Sequence, residues 1–455
     1  MHRIALNYLE SWKTKASRKP LVIRGARQVG KSFLVRMFAE KSFQNLLEIN
    51  LETDTGAPSL FTSMEPSTIL PLLEARYGQP VKPGATLLFL DEIQAAPAVL
   101  AGLRYFHEKL PGLHVIAAGS LLDFALAERE FSMPVGRIEY VHLGPMSFEE
   151  FLLAQDRSAL KDFLDGYSLN QPLPEAIHGE LLRLLRRFML IGGMPASVAA
   201  SVVPGGRREA EAERQAILST YRDDFSKYGR RADPRRIEKL FAKIPLLVGR
   251  KFKYSHVDRE ERSRELGLAL DMLLRARVAY RVRHTAGNGV PLGAEADDRS
   301  FKVLFMDVGL LCRACGLGIL DVEEGGDLMA VNSGAVCEQF VGQHLLYAGE
   351  PYAEPDLCCW MREKSQSSAE VDYVVAVGSK VVPVEVKAGR TGTLKSLHVF
   401  LRDKGRDFAV RFNTDVASLL DAETSLADRN NRAFRLLSLP LYMVGQAFRL
   451  CRENI

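Results

Sequence analysis

Apolar residues in the first third of the chain fall in short continuous runs separated by amphipathic stretches. Leu21-Val-Ile-Arg24, Ala85 to Leu90 and His114-Val-Ile-Ala-Ala118 read as strands buried on both faces. Ser32 to Lys41 and Val99 to Lys109 read as helices between them. Such strands alternating with helices predict a parallel sheet covered on each side. Helices follow at Phe148 to Gln155 and Glu180 to Leu190, punctuated by Gly192-Gly-Met-Pro195, and Pro204-Gly-Gly-Arg-Arg208 reads as an exposed joint. Three more helices, Glu211 to Tyr228, Pro234 to Leu247 and Arg262 to Arg275, precede a strand at Val278 to Arg283, a loop at Gly287 to Gly293 and a strand at Phe301 to Met306. Helices followed by a short hairpin predict a winged-helix module. From about Ser333 a helix leads into a second hairpin and further α/β structure.

Composition changes this picture little. The chain has 455 residues, 47% hydrophobic and 25% charged, as ordinary globular proteins do. At ~150 residues per domain the length predicts about three domains. No apolar run approaches the ~18–20 residues of a membrane helix, and Met1 to Pro20 lacks the apolar core of a secretory signal. Six cysteines in so long a chain do not form a disulfide framework, and the pair Cys312 and Cys315 reads as helix packing in a reducing cytoplasm. Charge is more informative. The formal net charge is +4, but Lys227 to Arg283 holds 17 Lys and Arg against 7 Asp and Glu, a local net of +10. The rest of the chain sums to −6, so the middle segment is a candidate polyanion surface, or else a solvated helical face.

Two stretches carry candidate chemistry. Gly25-Ala26-Arg27-Gln28-Val29-Gly30-Lys31-Ser32 matches GxxxxGK[ST] between a strand and a helix, followed by Phe33. Glycines let the backbone wrap phosphate oxygens, and the helix N-terminus offers its free N–H groups to the same anion. Lys31 is expected to reach the β- and γ-phosphates of ATP, and Ser32 to ligate Mg²⁺. Thr86-Leu-Leu-Phe-Leu-Asp91-Glu92 ends an apolar strand in two carboxylates, Asp91 for the metal and Glu92 as general base for the attacking water. Ser120, after the strand at His114, is placed to touch the γ-phosphate or that water, or else simply caps the next helix. Arg137 and Arg129 are candidates for an arginine that serves a neighbouring copy's phosphate, or are surface charge.

Near the C-terminus, Val371 to Val377 and Lys380 to Lys387 read as a hairpin closed by Gly378-Ser379. A two-residue loop pairs Val377 with Lys380 and sets Asp372 opposite Glu385. Opposed side chains lie ~4.5–5.5 Å apart at Cβ, where like charges call for a cation between them. Asp372, Glu385 and Lys387 then form a compact metal-and-water site, with Glu338 on the preceding helix as a further ligand, or a salt-bridged edge hairpin.

Asp372, thirteen positions before Glu385-Val-Lys387 and after a helix with Glu338, resembles the PD-(D/E)XK nuclease core. The initial proline is absent, for the chain reads Glu370-Val371-Asp372. The whole chain resembles a widespread prokaryotic AAA+ ATPase family whose members carry a C-terminal region long called a domain of unknown function. The matching pieces include Leu90-Asp-Glu-Ile-Gln94, Gly144-Pro-Met-Ser-Phe-Glu-Glu-Phe151, Ile191-Gly-Gly-Met-Pro195, Thr220-Tyr-Arg-Asp-Asp224 and Phe305-Met-Asp-Val-Gly-Leu310. The resemblance implies an α/β protein in four parts: a P-loop AAA+ ATPase core with a parallel sheet at 1–150, a helical lid at 151–205, a winged helix at 206–325 and a nuclease-like α/β domain at 326–455. The expected function is ATP hydrolysis coupled to remodelling or Mg²⁺-dependent cleavage of duplex or branched DNA, in a homo-oligomer such as a ring. A remodeller with a non-cleaving nuclease fold, and a signalling ATPase with protein partners, are the alternatives.

Overall fold

The computed structural model describes residues 2–122, 136–225, 232–319, 333–364, 367–389, 393–425 and 432–455. The first sheet contains β1 (Leu21–Arg24), β2 (Asn45–Asn50), β3 (Thr86–Asp91), β4 (His114–Gly119) and β5 (Glu139–His142). Its order is β2-β3-β4-β1-β5, and every pairing is parallel. The apolar runs explain the burial. Leu87 and Phe89 face one core, while Leu88 and Leu90 face another. Strand β2 was not expected, because Glu48 interrupts its apolar residues. It forms because it lies along β3, with Leu47 and Ile49 turned into the second core.

The middle of the chain is helical, as expected at Phe148–Ala154, Glu175–Ile191, Arg207–Asp224, Pro234–Leu247 and Ser263–Arg275, and a further helix at Pro195–Val202 follows the Gly-Gly-Met punctuation. Two glycine motifs meet there. A Cβ on Gly192 would stand 2.1 Å from Asp307 Oδ1, and one on Gly309 2.4 Å from the Ile191 carbonyl. Asp307 is fully buried; its carboxylate accepts the Gly193 N–H at 2.6 Å and caps the helix Val308–Ala314 through the Leu310 N–H at 3.0 Å. Buried Arg214 donates to the carbonyls of Leu190 and Gly309, closing the same junction.

The second sheet is larger than the sequence indicates. It contains β6 (Ala279–Thr285), β7 (Ala296–Phe305), β8 (Leu357–Lys364), β9 (Ser367–Val377), β10 (Lys380–Val386), β11 (Phe408–Asn413), β12 (Ser418–Glu423) and β13 (Ala433–Pro440). Its order is β12-β13-β11-β10-β9-β8-β6-β7. The β6–β7 hairpin, expected to be the wing of a separate module, is instead an edge of this sheet. Val282, Arg283 and His284 run parallel to Leu357, Cys358 and Cys359. The division at 325/326 therefore separates strands of one sheet. One apolar core also runs from Leu6 through the helices to Cys451, so no division of the chain falls at a break in packing. All six cysteines are unpaired.

Candidate nucleotide site and C-terminal carboxylate cluster

The phosphate loop leaves β1 at Gly25 and enters the helix Lys31–Ser42. Gly30 caps that helix at φ +88°, and Gln28 also takes a left-handed conformation, at +63°. A Cβ on Gly25 would stand 2.2 Å from the Leu143 carbonyl oxygen, so only glycine fits there. Lys31 is buried, and its ammonium donates to the carbonyls of Gly25 (3.1 Å) and Ala26 (2.8 Å). Burial lowers Lys31 to about 8, opposed by the carboxylates of Glu92 and Asp91. Phe33, one residue past the motif, is exposed and only its backbone belongs to the loop region.

Strand β3 delivers the two acids. Ser32 Oγ donates to Asp91 Oδ2 at 2.7 Å, so hydroxyl and carboxylate already converge on one point. Burial pushes Asp91 upward, and the Ser32 hydrogen bond opposes the rise. A hydroxyl and a carboxylate at the end of a phosphate loop are a donor set suited to Mg²⁺. Glu92 stands at φ +51°, which turns it out of the strand. Its Oε2 accepts from Gln94 Nε2 at 2.5 Å and from Ser120 Oγ at 3.4 Å. Ser120 in turn accepts from Arg27 Nε at 3.3 Å. Ser120 thus stands between Arg27 and the Glu92 carboxylate.

Several partners of the loop are far away in sequence. Arg3 is buried, and its guanidinium donates to the Val29 carbonyl (2.6 Å), the Gly144 carbonyl (2.8 Å) and Glu150 Oε1 (3.1 Å). Arg27 pairs with Asp224 at 2.6 Å, and the Tyr221 hydroxyl donates to the Arg27 carbonyl at 2.7 Å. The Tyr-Arg-Asp-Asp motif at 221–224 is therefore a latch from the helix Arg207–Asp224 onto the phosphate loop. Arg137 pairs with Glu108 at 2.7 Å on the surface, away from the loop's own contacts. Arg129 lies outside the described residues.

The C-terminal hairpin has the expected register. Val377 faces Lys380, and Tyr373 faces Val384. Asp372 and Glu385 are the residues just beyond that last pair on the two strands, and Asp372 Oδ2 accepts the Val386 N–H at 2.8 Å. Lys387 donates to Glu385 Oε1 at 2.6 Å, which leaves Glu385 Oε2 buried without a partner. Burial and then the Asp372 charge push Glu385 up to about 8, opposed by Lys387. The unexpected member is Lys302, on β7. Its ammonium is buried and lies 2.7 Å from Glu338 Oε1 and 3.4 Å from Asp372 Oδ1, and it also pairs with Glu370. Burial alone would lower this ammonium. The carboxylates of Glu338, Asp372 and Glu370 outweigh that and hold it well above its ordinary value.

Asp372, Glu385 and Glu338, expected to share a magnesium ion, do not fit one as they stand, because lysine ammonium groups already hold an oxygen of each. Among the described residues no group of three or more His, Cys, Asp or Glu side chains is arranged to hold a metal.

Much of the basic middle segment is neutralised. Arg236 pairs with Glu261 and Glu265, Lys239 with Asp258, Arg277 with Glu354, Arg281 with Asp271 and Arg283 with Asp356. Arg277, Arg281 and Arg283 line a cleft of about 720 Å³ with Arg24, the last residue of β1. Arg235, Lys243, Lys253, Arg262, Arg264 and Arg275 are exposed and have no ion-pair partner among the described residues. No described helix is long and apolar enough to cross a membrane.

Comparison with known proteins agrees with this geometry in part. Residues 17–152 match the family of AAA domains, while 182–321 and 333–438 match two domains of unknown function, DUF8612 and DUF4143. No curated protein matches the chain. Among solved structures, the Walker-type ATPase PABY2304 of Pyrococcus abyssi is similar at 17% identity and TM-score 0.44, over 68% of this chain and 94% of that one. The ORC2 protein of Aeropyrum pernix is similar at 13% identity and TM-score 0.34, over 71% and 96%. Together, the phosphate loop, the Asp91–Glu92 pair, the parallel sheet and the match over 17–152 make the N-terminal third an AAA-type P-loop nucleotide-binding domain.

Proposed function

We propose that the protein hydrolyses ATP and uses the hydrolysis to remodel DNA held on the basic helices of its middle segment. The observation that carries the reading is Glu92, turned out of β3 beside Asp91 and held by Ser120 and Gln94. The loop N–H groups and Lys31 bind the phosphates. Glu92 takes the proton from the attacking water, and Ser120 and Gln94 fix the accepting oxygen. Mg²⁺, which Ser32 and Asp91 would hold, supplies charge neutralisation at the phosphate oxygens. Arg27 links the loop to Asp224, and so gives nucleotide state a route into the helices that carry the free cations. In a homo-oligomer we assign Arg137 to a neighbouring copy's nucleotide.

Turnover measured with and without duplex and branched DNA tests both halves. Glu92→Gln is expected to keep nucleotide binding and lose at least ~100-fold in kcat. A variant that turns over like wild type sinks the hydrolysis assignment. DNA is expected to raise turnover and to bind with a steep loss on adding salt. No binding at low salt removes DNA from the reading.

A second reading, Mg²⁺-dependent cleavage, draws on Asp372, Glu385 and Lys387 standing together and on the unpartnered Glu385 oxygen. It requires nicking by wild type that disappears in Asp372→Ala, Glu385→Ala and Lys387→Ala. We favour the non-cleaving reading because of Lys302, and expect no nicking.

A further inference from the structure

The C-terminal carboxylates stand on two elements, Glu338 on the helix Ser333–Leu346 and Glu370 and Asp372 on β9. Three carboxylates gathered this closely, with Glu338 buried and Glu370 at the exposed rim, repel one another unless a cation sits among them. The cation present is a side chain. The Lys302 ammonium donates hydrogen bonds to Glu338 and Asp372 and is also ion-paired with Glu370, so one cation serves three carboxylates. The side chain is only 2% exposed, which leaves no water shell around the ammonium. Mg²⁺, by contrast, demands near-octahedral oxygens at ~2.0–2.1 Å and keeps several waters. The Lys302 stem and head fill the space that such an ion and its waters need. Position is fixed by the sheet, since Lys302 pairs with Val282 across β6 and β7. Of the neighbouring oxygens, Asp372 Oδ2 holds the Val386 N–H and Glu385 Oε1 holds Lys387, while Glu385 Oε2 alone is buried without a partner among the described residues of this cluster.

We propose that Lys302 is a tethered cation that takes the place of a divalent metal in this cluster and fastens the β6–β7 hairpin to the carboxylate-bearing strand. The C-terminal unit then keeps its fold without metal. The inference deepens the non-cleaving reading above, but its readout is metal binding and melting, not action on DNA, so the two fail separately.

The test uses the full chain, free of nucleotide, with Mn²⁺ as the probe. Melting and paramagnetic Mn²⁺ titration are followed in wild type, Asp372→Asn, Lys302→Ala and the double variant. Wild type and Asp372→Asn are expected to bind the same number of Mn²⁺ ions, the cluster contributing none. Lys302→Ala is expected to melt about 3–5 °C lower, as loss of one partner of a buried ion pair implies. Millimolar Mn²⁺ should recover part of that loss, and the double variant should not recover. Mn²⁺ binding by wild type that Asp372→Asn abolishes overturns the proposal, and so does a Lys302→Ala protein that gains no Mn²⁺ site. Should Lys302→Ala fail to fold, Lys302→Gln takes its place, and the comparison of wild type with Asp372→Asn still decides.

Discussion

Glu92 shows how much of a site depends on contacts that a motif does not state. The GxxxxGK[ST] motif and the acidic strand end are contiguous in sequence and can be read directly. Gln94, whose amide holds the Glu92 carboxylate, ends the Leu90-Asp-Glu-Ile-Gln94 piece, but the piece does not say what Gln94 does. Gly119 belongs to the same arrangement, because a Cβ there would stand 2.4 Å from Gln94 Oε1. Gln94→Ala is expected to lower kcat about tenfold with nucleotide affinity unchanged, since it loosens the base and leaves the phosphate loop alone. Equal losses in affinity and kcat would show that Gln94 supports the loop. Arg3 and Lys302 were illegible for a different reason. Their partners Glu150 and Asp372 lie 147 and 70 residues away, and only the fold brings them together.

Among elements, the C-terminal hairpin was legible because Gly378-Ser379 fixes its register, and one fixed pair fixes the rest. The parallel pairing of β6 with β8 was not, because nothing in an isolated strand says which neighbour completes it. Helices are tied across the molecule in the same hidden way. His344, on the helix Ser333–Leu346, accepts the Phe148 N–H through Nε2 at 2.9 Å, so its other nitrogen must donate to the Phe340 carbonyl. That ring is neutral, and burial lowers it from 6.5 to about 4. Above the ordinary value both folded and unfolded chains carry a neutral ring. Below it only the unfolded chain takes up the proton, so stability falls as pH drops from 6.5 towards about 4. A shift of this size is worth on the order of 3 kcal/mol. Urea midpoints at pH 7.5 and 5 are expected to fall less steeply with acid in His344→Gln than in wild type. An unchanged slope would mean that His344 takes up its proton equally readily in the folded and the unfolded chain.

At the scale of the molecule, the first sheet, the helices and the second sheet share one core. Length alone predicts separable domains, but packing joins them. Tyr347 fills the space over Gly144, where a Cβ would stand 2.6 Å from its ring, and the Tyr347 hydroxyl bonds to that of Tyr280 at 2.6 Å. Calorimetry is therefore expected to record one cooperative transition rather than two or three. A chain ending at residue 325 is expected to aggregate, because β6 would become an open edge without β8. A soluble fragment with native nucleotide binding would show that the units fold independently. The same sheet sets a timetable for synthesis. The hairpin that carries Lys302 ends at Phe305, while Asp372, the last of its three acids, follows 67 residues later. At ~5–20 residues per second the ribosome needs roughly 3–13 seconds to make up that interval. Until then a finished hairpin waits with one edge bare and its lysine without the acids it will meet, and that is the interval in which a growing chain of this kind depends most on whatever shields it.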